Sequence, residues 1–349
     1  MIHTQTSSLS EQYAALKAEQ PQLRIYDAAQ ALGVSELELL ELKLGEEVVR
    51  LSGDWKELLA ELHRLDYVMA LTRNRYVVHE RKGVYNNVSF MANGQMGVAV
   101  NDDIDLRFFM SQWVHAYGVK MSSGGRTLYS FQFFNGQGLA IHKVYLTHKS
   151  APLAYDELLK KYRAKDQQTL TVVLPEKEET FAPAQKTAEE IHAFQQAWLA
   201  LQDTHDFFGL LKTHGLSRTE ALRFAPEGHA RQLNNQVVGE LLNQASEQAL
   251  PIMVFAGNSG CIQIHTGLVQ RILPMDQWIN VMDPEFNLHL NTEGIAEVWE
   301  VRKPTADGIV TSVEVFDATG ELIVYFFGKR KPGIPEMQAW RDLTAKLQA

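Results

Sequence analysis

The sequence predicts an α+β fold, an internal duplication of two similar units, each with N-terminal helices and a large antiparallel sheet. Three observations predict it: a repeat at one shift, helix-period segments ahead of strand-like ones in each half, and a proline-bearing charged stretch between the halves. The repeat pairs residues 27–40 (DAAQALGVSELELL) with 209–222 (GLLKTHGLSRTEAL), matching Gly33 with Gly215, Ser35 with Ser217 and Glu38 with Glu220 at a shift of 182 (215 − 33). Residues 130–138 (SFQFFNGQG) pair with 312–320 (SVEVFDATG), matching Phe134 with Phe316 at the same shift (316 − 134). Between these anchors the register is expected to drift, with Trp113 opposite Trp299 and Gly83 opposite Gly260.

The elements follow in order. Residues 55–65 (WKELLAELHRL) place Trp55, Leu58, Leu59 and Leu62 at helical spacing. Residues 129–134 and 311–316 are aromatic or β-branched, and each runs into a turn signal, Asn135-Gly136 and 317–320. The join is expected at 164–190, where prolines and charges surround a short strand-like TLTVVL, so the domains read as 1–163 and 191–349. A helix should begin at Thr187, three residues before Glu190 in capping-box spacing, and run through Ile191, Phe194, Trp198 and Leu201.

Composition narrows the function classes. With 349 residues, 45% hydrophobic and 21% charged, the chain suits two ordinary globular units. Its net charge of −9 argues against general phosphate-backbone binding, so no nucleic-acid partner is expected. The single cysteine, Cys261, forms no intrachain disulfide, the first ten residues lack a secretory pattern, and no apolar run reaches membrane-span length. A cytoplasmic protein without membrane insertion is the expectation.

Several residues carry candidate chemistry. His205, in LQDTHDFFGLL, has no counterpart in the other half, where the shift leads to Leu23 (205 − 182). An imidazole at the edge of an apolar helix face is either a helix-end cap or an axial ligand for haem iron. In DLRFFMSQW, Arg107 stands beside Phe108 and Phe109, either as a surface arginine on a helix whose Phe and Trp face the core, or as a clamp for a carboxylate or an oxygen ligand. Arg218, Lys303 and Arg330 are solvated charges or partners for ligand carboxylates.

Cys261, Gln263 and His265 alternate along an expected strand and share a face, but no orienting third group follows; a structural thiol is the simpler reading, and C-x3-H is a weak zinc spacing. His79, in YVVHER, reads as a structural strand histidine. No dinucleotide, Walker, serine-hydrolase or zincin pattern occurs.

Seven blocks in order span nearly the whole chain: NRYVVHE (74–80), DLRFFMSQW (105–113), DTHDFFGLL (203–211), IMVFAGNSGCIQIHTG (252–267), WINVMDPEFNLHL (278–290), VRKPTADGIVTS (301–312) and FFGKR (326–330). Through them the sequence resembles the bacterial haemin-degrading factor family, the cytoplasmic haem-utilisation proteins of HemS/ChuS/HmuS type. The resemblance implies haem as cofactor or cargo, with His205 as proximal ligand and Arg107 as distal arginine, so that both halves serve the pocket. Arg218 and Lys303 would lie near the propionates, Arg330 would be a further pocket arginine, and Phe109, Phe255 and Tyr325 would pack on the ring. Phe327 stands where relatives can carry Tyr.

The implied function is handling of imported haem for iron acquisition, with reductant- and oxygen-dependent degradation, or else intact delivery to a separate haem oxygenase. An inner-membrane haem importer, a reductase and a downstream oxygenase are the implied partners.

Overall fold

The computed structural model describes residues 8–123, 125–170, 185–331 and 333–349. In the first half, helices α1 (Leu9–Glu19), α2 (Ile25–Leu32) and α3 (Glu36–Glu41) lead to strand β1 (Val48–Arg50) and helix α4 (Trp55–Glu61). Strands β2 (Asp66–Arg73), β3 (Val77–Gly83), β4 (Val88–Phe90), β5 (Met96–Val100), β6 (Asp105–Phe109), β7 (His115–Ser123), β8 (Arg126–Phe134) and β9 (Ala140–Ser150) follow, then α5 (Pro152–Tyr162).

The second half runs α6 (Ala188–Leu199), α7 (Asp206–His214), α8 (Arg218–Arg223), β10 (Ala230–Leu233), α9 (Val237–Glu247), β11 (Ile252–Gly257) and β12 (Cys261–Gly267). It continues through β13 (Ile272–Met275), β14 (Trp278–Met282), β15 (Phe286–Asn291), β16 (Glu297–Thr305), β17 (Gly308–Phe316), β18 (Leu322–Gly328) and α10 (Gln338–Lys346). Among the described residues no helix is long and apolar enough to cross a membrane.

The chain forms two compact units. The first holds the described residues of Met1–Thr72, Lys82–Glu178 and Asn258–Cys261, and the second those of Arg73–Arg81, Glu179–Gly257 and Ile262–Ala349. In the first, antiparallel pairing runs β1-β7-β8-β9-β2 and β4-β5-β6. In the second it runs β10-β16-β17-β18-β11-β12 and β3-β15-β14-β13.

Strand register confirms the duplication and corrects part of its alignment. Val48 pairs with Val119 in one unit and Ala230 with Val301 in the other, a shift of 182 on both strands (230 − 48 and 301 − 119). The same shift relates Tyr117 opposite Gln132 to Trp299 opposite Glu314. Trp299 therefore occupies the place of Tyr117, not of Trp113, and the expected drift there does not occur. Trp113 lies before β7, and its indole donates to the Gly260 carbonyl at 2.8 Å.

Local chemistry explains why the repeat was visible. Gly33 and Gly215 end α2 and α7 in left-handed conformation (φ 68° and 57°), where a side chain costs energy. Ser35 with Glu38 and Ser217 with Glu220 form complete capping boxes on α3 and α8, each satisfying two helix-end donors. The second repeated block touches the first. Gly138, at φ +72°, would place a Cβ 2.6 Å from the Ser35 hydroxyl, and Gly320, at φ +83°, one 3.0 Å from the Thr219 hydroxyl. The predicted Asn-Gly turn is thus a longer loop in which Asn135 caps Leu139 N–H and Gly138, rather than Gly136, takes the left-handed conformation.

The capping box at Thr187 opens α6, with Phe194 and Trp198 buried. Residues 55–65 begin as α4 and tighten into a 3-10 turn over Leu62–Leu65, with Leu58, Leu59 and Leu62 fully buried. Most of the strand-like TLTVVL lies outside the described residues.

In the second unit, α9 and α10 supply the apolar core on one face of the long ladder, with Val238, Leu241, Trp340 and Leu343 against Val298, Val313, Val324 and Phe326. Side chains alternate across a strand, so Trp299, Val301, Ser312, Glu314, Tyr325 and Phe255 belong to the opposite face. There Trp198, Phe207, Leu211 and Leu222 from α6 to α8 cover Trp299 and Val301.

Candidate functional site

His205 sits immediately before α7, where Asp203 organises the turn. The Asp203 carboxylate accepts from the His205 backbone N–H at 2.9 Å and lies 2.6 Å from its Nδ1. Those hydrogen bonds and the charge of Arg330 hold the Asp203 carboxyl below its usual range. With Nδ1 engaged by a carboxylate, Nε2 is the nitrogen left to ligate. The imidazole side chain is 89% exposed, so it is neither a core residue nor a side-chain cap on α7.

Two residues on, Phe207 turns inward. Lys303 Nζ lies 4.4 Å from its ring centre, and the Arg218 guanidinium carbon lies 5.6 Å from both Phe207 and Tyr325. Arg218 is the first residue of α8, aimed by the Ser217 cap. The sheet below carries a cluster of half-buried aromatics, with Phe255 and Tyr325 stacked at 4.8 Å and Phe327 edge-on to both at 5.1 and 5.4 Å. They meet because Phe255 is opposite Tyr325 in the β11–β18 register, and Phe327 follows two residues along.

Both basic residues converge on Glu314, whose side chain is fully buried. It accepts from Arg218 Nε and Nη2 at 2.8 and 3.0 Å, Lys303 Nζ at 2.6 Å and Ser312 Oγ at 2.9 Å. Burial opposes ionisation of Glu314, but the two cations outweigh it and hold the carboxyl well below the usual range. Burial pulls the Lys303 ammonium down to about 8, against the pull of Glu314. Arg218 and Lys303 are thus neither free surface charges nor isolated. Arg330 has a buried Nε with no hydrogen-bond partner, a donor held ready for an acceptor.

The second unit therefore brings together Arg218, Phe255, Lys303 and Tyr325, with His205 and Arg330 sharing Asp203. Arg107 and Phe109 belong to the first unit. They lie on strand β6, not on a helix, followed by a 3-10 turn over Met110–Gln112. Alternation puts Asp105, Arg107 and Phe109 on a half-buried face and Leu106 and Phe108 in the core. Arg107 pairs with Asp105 and also donates to the Leu106 carbonyl at 3.1 Å.

Cys261, His265 and His79 serve structure. Cys261 lies 3.7 Å from the Thr72 hydroxyl and 4.0 Å from His142, and burial raises its thiol pKa to about 12. His265 instead stacks flat on Phe286 at 3.8 Å and meets the Leu268 carbonyl, so it does not pair with Cys261. His79 is fully buried, its ring 4.9 Å from that of Phe286. A separate cavity lined by Ile191, Phe194, His214, Leu216 and Phe224 holds none of the candidate residues.

Asp203, Ser312 and Glu314 escaped the sequence reading. Asp203 was legible in the D-x-H spacing, a turn in which an Asp side chain caps the backbone two residues on. Nothing in SVEVF marks Glu314 as buried.

The model of the haemin-degrading HemS.ChuX domain matches the chain twice, over residues 33–162 and 215–347. The chain belongs to this family. Each match coincides with one copy of the repeat, so the family domain is itself the duplicated element. Among relatives, the hemin transport protein HemS of Yersinia enterocolitica is 40% identical over 347 residues, covering 98% of both chains. Holo-PhuS, a heme-binding protein from Pseudomonas aeruginosa, is 48% identical with a TM-score of 0.91, covering 98% of this chain and 100% of that one. The structure of ChuS, described as an E. coli heme oxygenase, is 34% identical with a TM-score of 0.86, covering 97% and 98%.

Proposed function

We propose that the chain binds haem through its second unit and handles imported haem for iron acquisition, degrading it with a reductant and oxygen. The observation that carries this reading is the pairing of a presented imidazole with a cationic cluster built on a buried carboxylate: His205 fixed by Asp203, and Arg218 with Lys303 gathered beside Phe207 and the Phe255–Tyr325–Phe327 aromatics. Haem needs a nitrogen ligand, flat apolar walls and partners for two propionates. The residues fit that need, and the orphaned Arg330 Nε adds a donor.

In this reading His205 ligates iron through Nε2, with Asp203 setting the ring orientation and raising ligand basicity. Arg218 and Lys303 hold propionates, and Phe255, Tyr325 and Phe327 pack on the ring. Phe327 adds packing without the hydroxyl a tyrosine would bring. Arg107 and Phe109 enter through the family resemblance alone, Arg107 as a hydrogen-bond donor that would first have to exchange its Asp105 partner. Bound haem supplies the redox chemistry, and the protein supplies orientation and electrostatics.

The exposure of His205 favours a second reading, a carrier that releases haem intact to a separate oxygenase. One experiment separates the two: the haem complex is given ascorbate in air with catalase present. Catalase-resistant bleaching with tetrapyrrole products supports degradation, whereas an unchanged spectrum with transfer to an acceptor supports carriage. A membrane haem importer would supply either role, with a reductase as partner for degradation or a downstream haem oxygenase for carriage.

A further inference from the structure

Glu314 is the group around which the two propionate candidates are built, and its charge count is uneven. Buried Lys303 and half-buried Arg218 share one wholly buried carboxylate, leaving one positive charge in surplus beside a buried ammonium, where an unpaired charge is penalised. The first unit carries a different set at the matching positions. Register places Gln132 where Glu314 stands, Lys143 where Tyr325 stands and Met121 where Lys303 stands. The same shift places Glu36 where Arg218 stands (218 − 36 = 182), and Glu36 forms a buried ion pair with Lys143.

We infer that Glu314 is a positioning residue that fixes Arg218 and Lys303 as one carboxylate-binding site, and that the positive charge it leaves unmatched recognises the dianionic edge of haem. This rests on the haem reading above. Without Glu314, half-buried Arg218 and buried Lys303 would repel each other, Lys303 would lose its proton and Arg218 its bidentate anchor. The charged and titratable groups that bear on Lys303 are Glu314 and Arg218, with the Tyr325 hydroxyl beyond Arg218. An incoming carboxylate favours protonated Lys303. Affinity is therefore flat below about pH 8, where Lys303 keeps its proton, and falls as pH rises through that value. Removing the charge of Glu314 moves this limb to lower pH.

The test is a haemin titration of the full chain from neutral to alkaline pH, comparing wild type, Glu314→Gln and Glu314→Asp, with haemin dimethyl ester as the probe lacking carboxylates. We expect the haemin limb of Glu314→Gln to move down by at least one pH unit, with affinity about tenfold weaker wherever only wild-type Lys303 is protonated. Glu314→Asp, which keeps the charge, should retain a limb near that of wild type. The ester should show no such limb in any variant, since a limb arising at iron is common to both probes. An unmoved limb in Glu314→Gln, or an ester that follows the haemin limb, overturns the inference. If Glu314→Gln does not fold, Glu314→Asp decides: loss of the ester-insensitive limb despite the retained charge contradicts the account, and its retention supports it. Wild type that binds no haemin defeats the haem reading instead.

Discussion

The two units share one scaffold and differ at the positions where a ligand would be held. In the first, the helix cap at Ser35 delivers Glu36 to a buried pair with Lys143. In the second, the matching cap at Ser217 delivers Arg218 to Glu314, already shared with Lys303. The aromatic cluster of Phe255, Tyr325 and Phe327 is matched by Leu71, Lys143 and Tyr145, and His205 by Leu23. Duplicated backbones thus give one unit with a buried acid–base pair at these positions and one with two cations on one carboxylate and a presented imidazole. Capping and turn chemistry is kept in both because it makes the fold; the side chains on the shared sheet face are not.

The largest effect that can break this comparison is on stability. Glu36→Gln leaves Lys143 buried without its carboxylate, which should cost roughly 3–5 kcal/mol in urea unfolding. Haemin affinity should stay unchanged. A large loss of affinity in a variant that still folds would mean that the first unit's pair is part of the ligand site.

Acid sharpens the contrast by degree. Burial holds His79, His142 and His265 neutral, His142 and His265 at about 3 and His79 well below its usual value. Unfolded imidazoles take up protons near pH 6.5. Stability from these groups is therefore complete above about pH 6.5 and falls as pH drops, each group costing about 1.4 kcal/mol per pH unit below that. His79 and His265 lie in the second unit and His142 in the first, so acid should weaken the second unit more. Urea midpoints between pH 7 and pH 5 check this: His265→Leu should flatten the slope by about one proton, and an unchanged slope would show that the ring is not buried neutral.

A smaller effect belongs to the residue that orients the imidazole. Asp203→Asn should weaken haemin binding by about tenfold, as loss of a partner behind a metal ligand does, measured by Soret titration. Equal affinity in the variant would leave His205 without an orienting partner.

Much of the fold was legible because its signals are local. Gly33, Ser35, Glu38 and Thr187 name their own helix ends through capping geometry that needs no tertiary partner. Trp113 and Trp299 misled because identical residue types invite alignment, whereas hydrogen-bond register assigns Trp299 to the place of Tyr117. Strand β6 read as helical because Phe109 and Trp113 stand four apart, a spacing created by a 3-10 turn after a short strand. Glu314 was invisible because an acid alternating with apolar residues reads as a solvent-facing position. Its burial comes from helix α8, remote in sequence, which brings Arg218 to it, and from the neighbouring strand β16, which carries Lys303. His205 was legible as an asymmetry of the repeat, and its meaning came from the family pattern.

The most direct test of the claim that the second unit carries haem is a stoichiometric haemin titration of the apo-protein, followed by Soret absorbance beside His205→Ala. The account predicts one saturable equivalent in the wild type and a markedly weakened, spectrally altered complex in the variant. Two equivalents of equal affinity, no saturable shift, or a variant indistinguishable from wild type would contradict it.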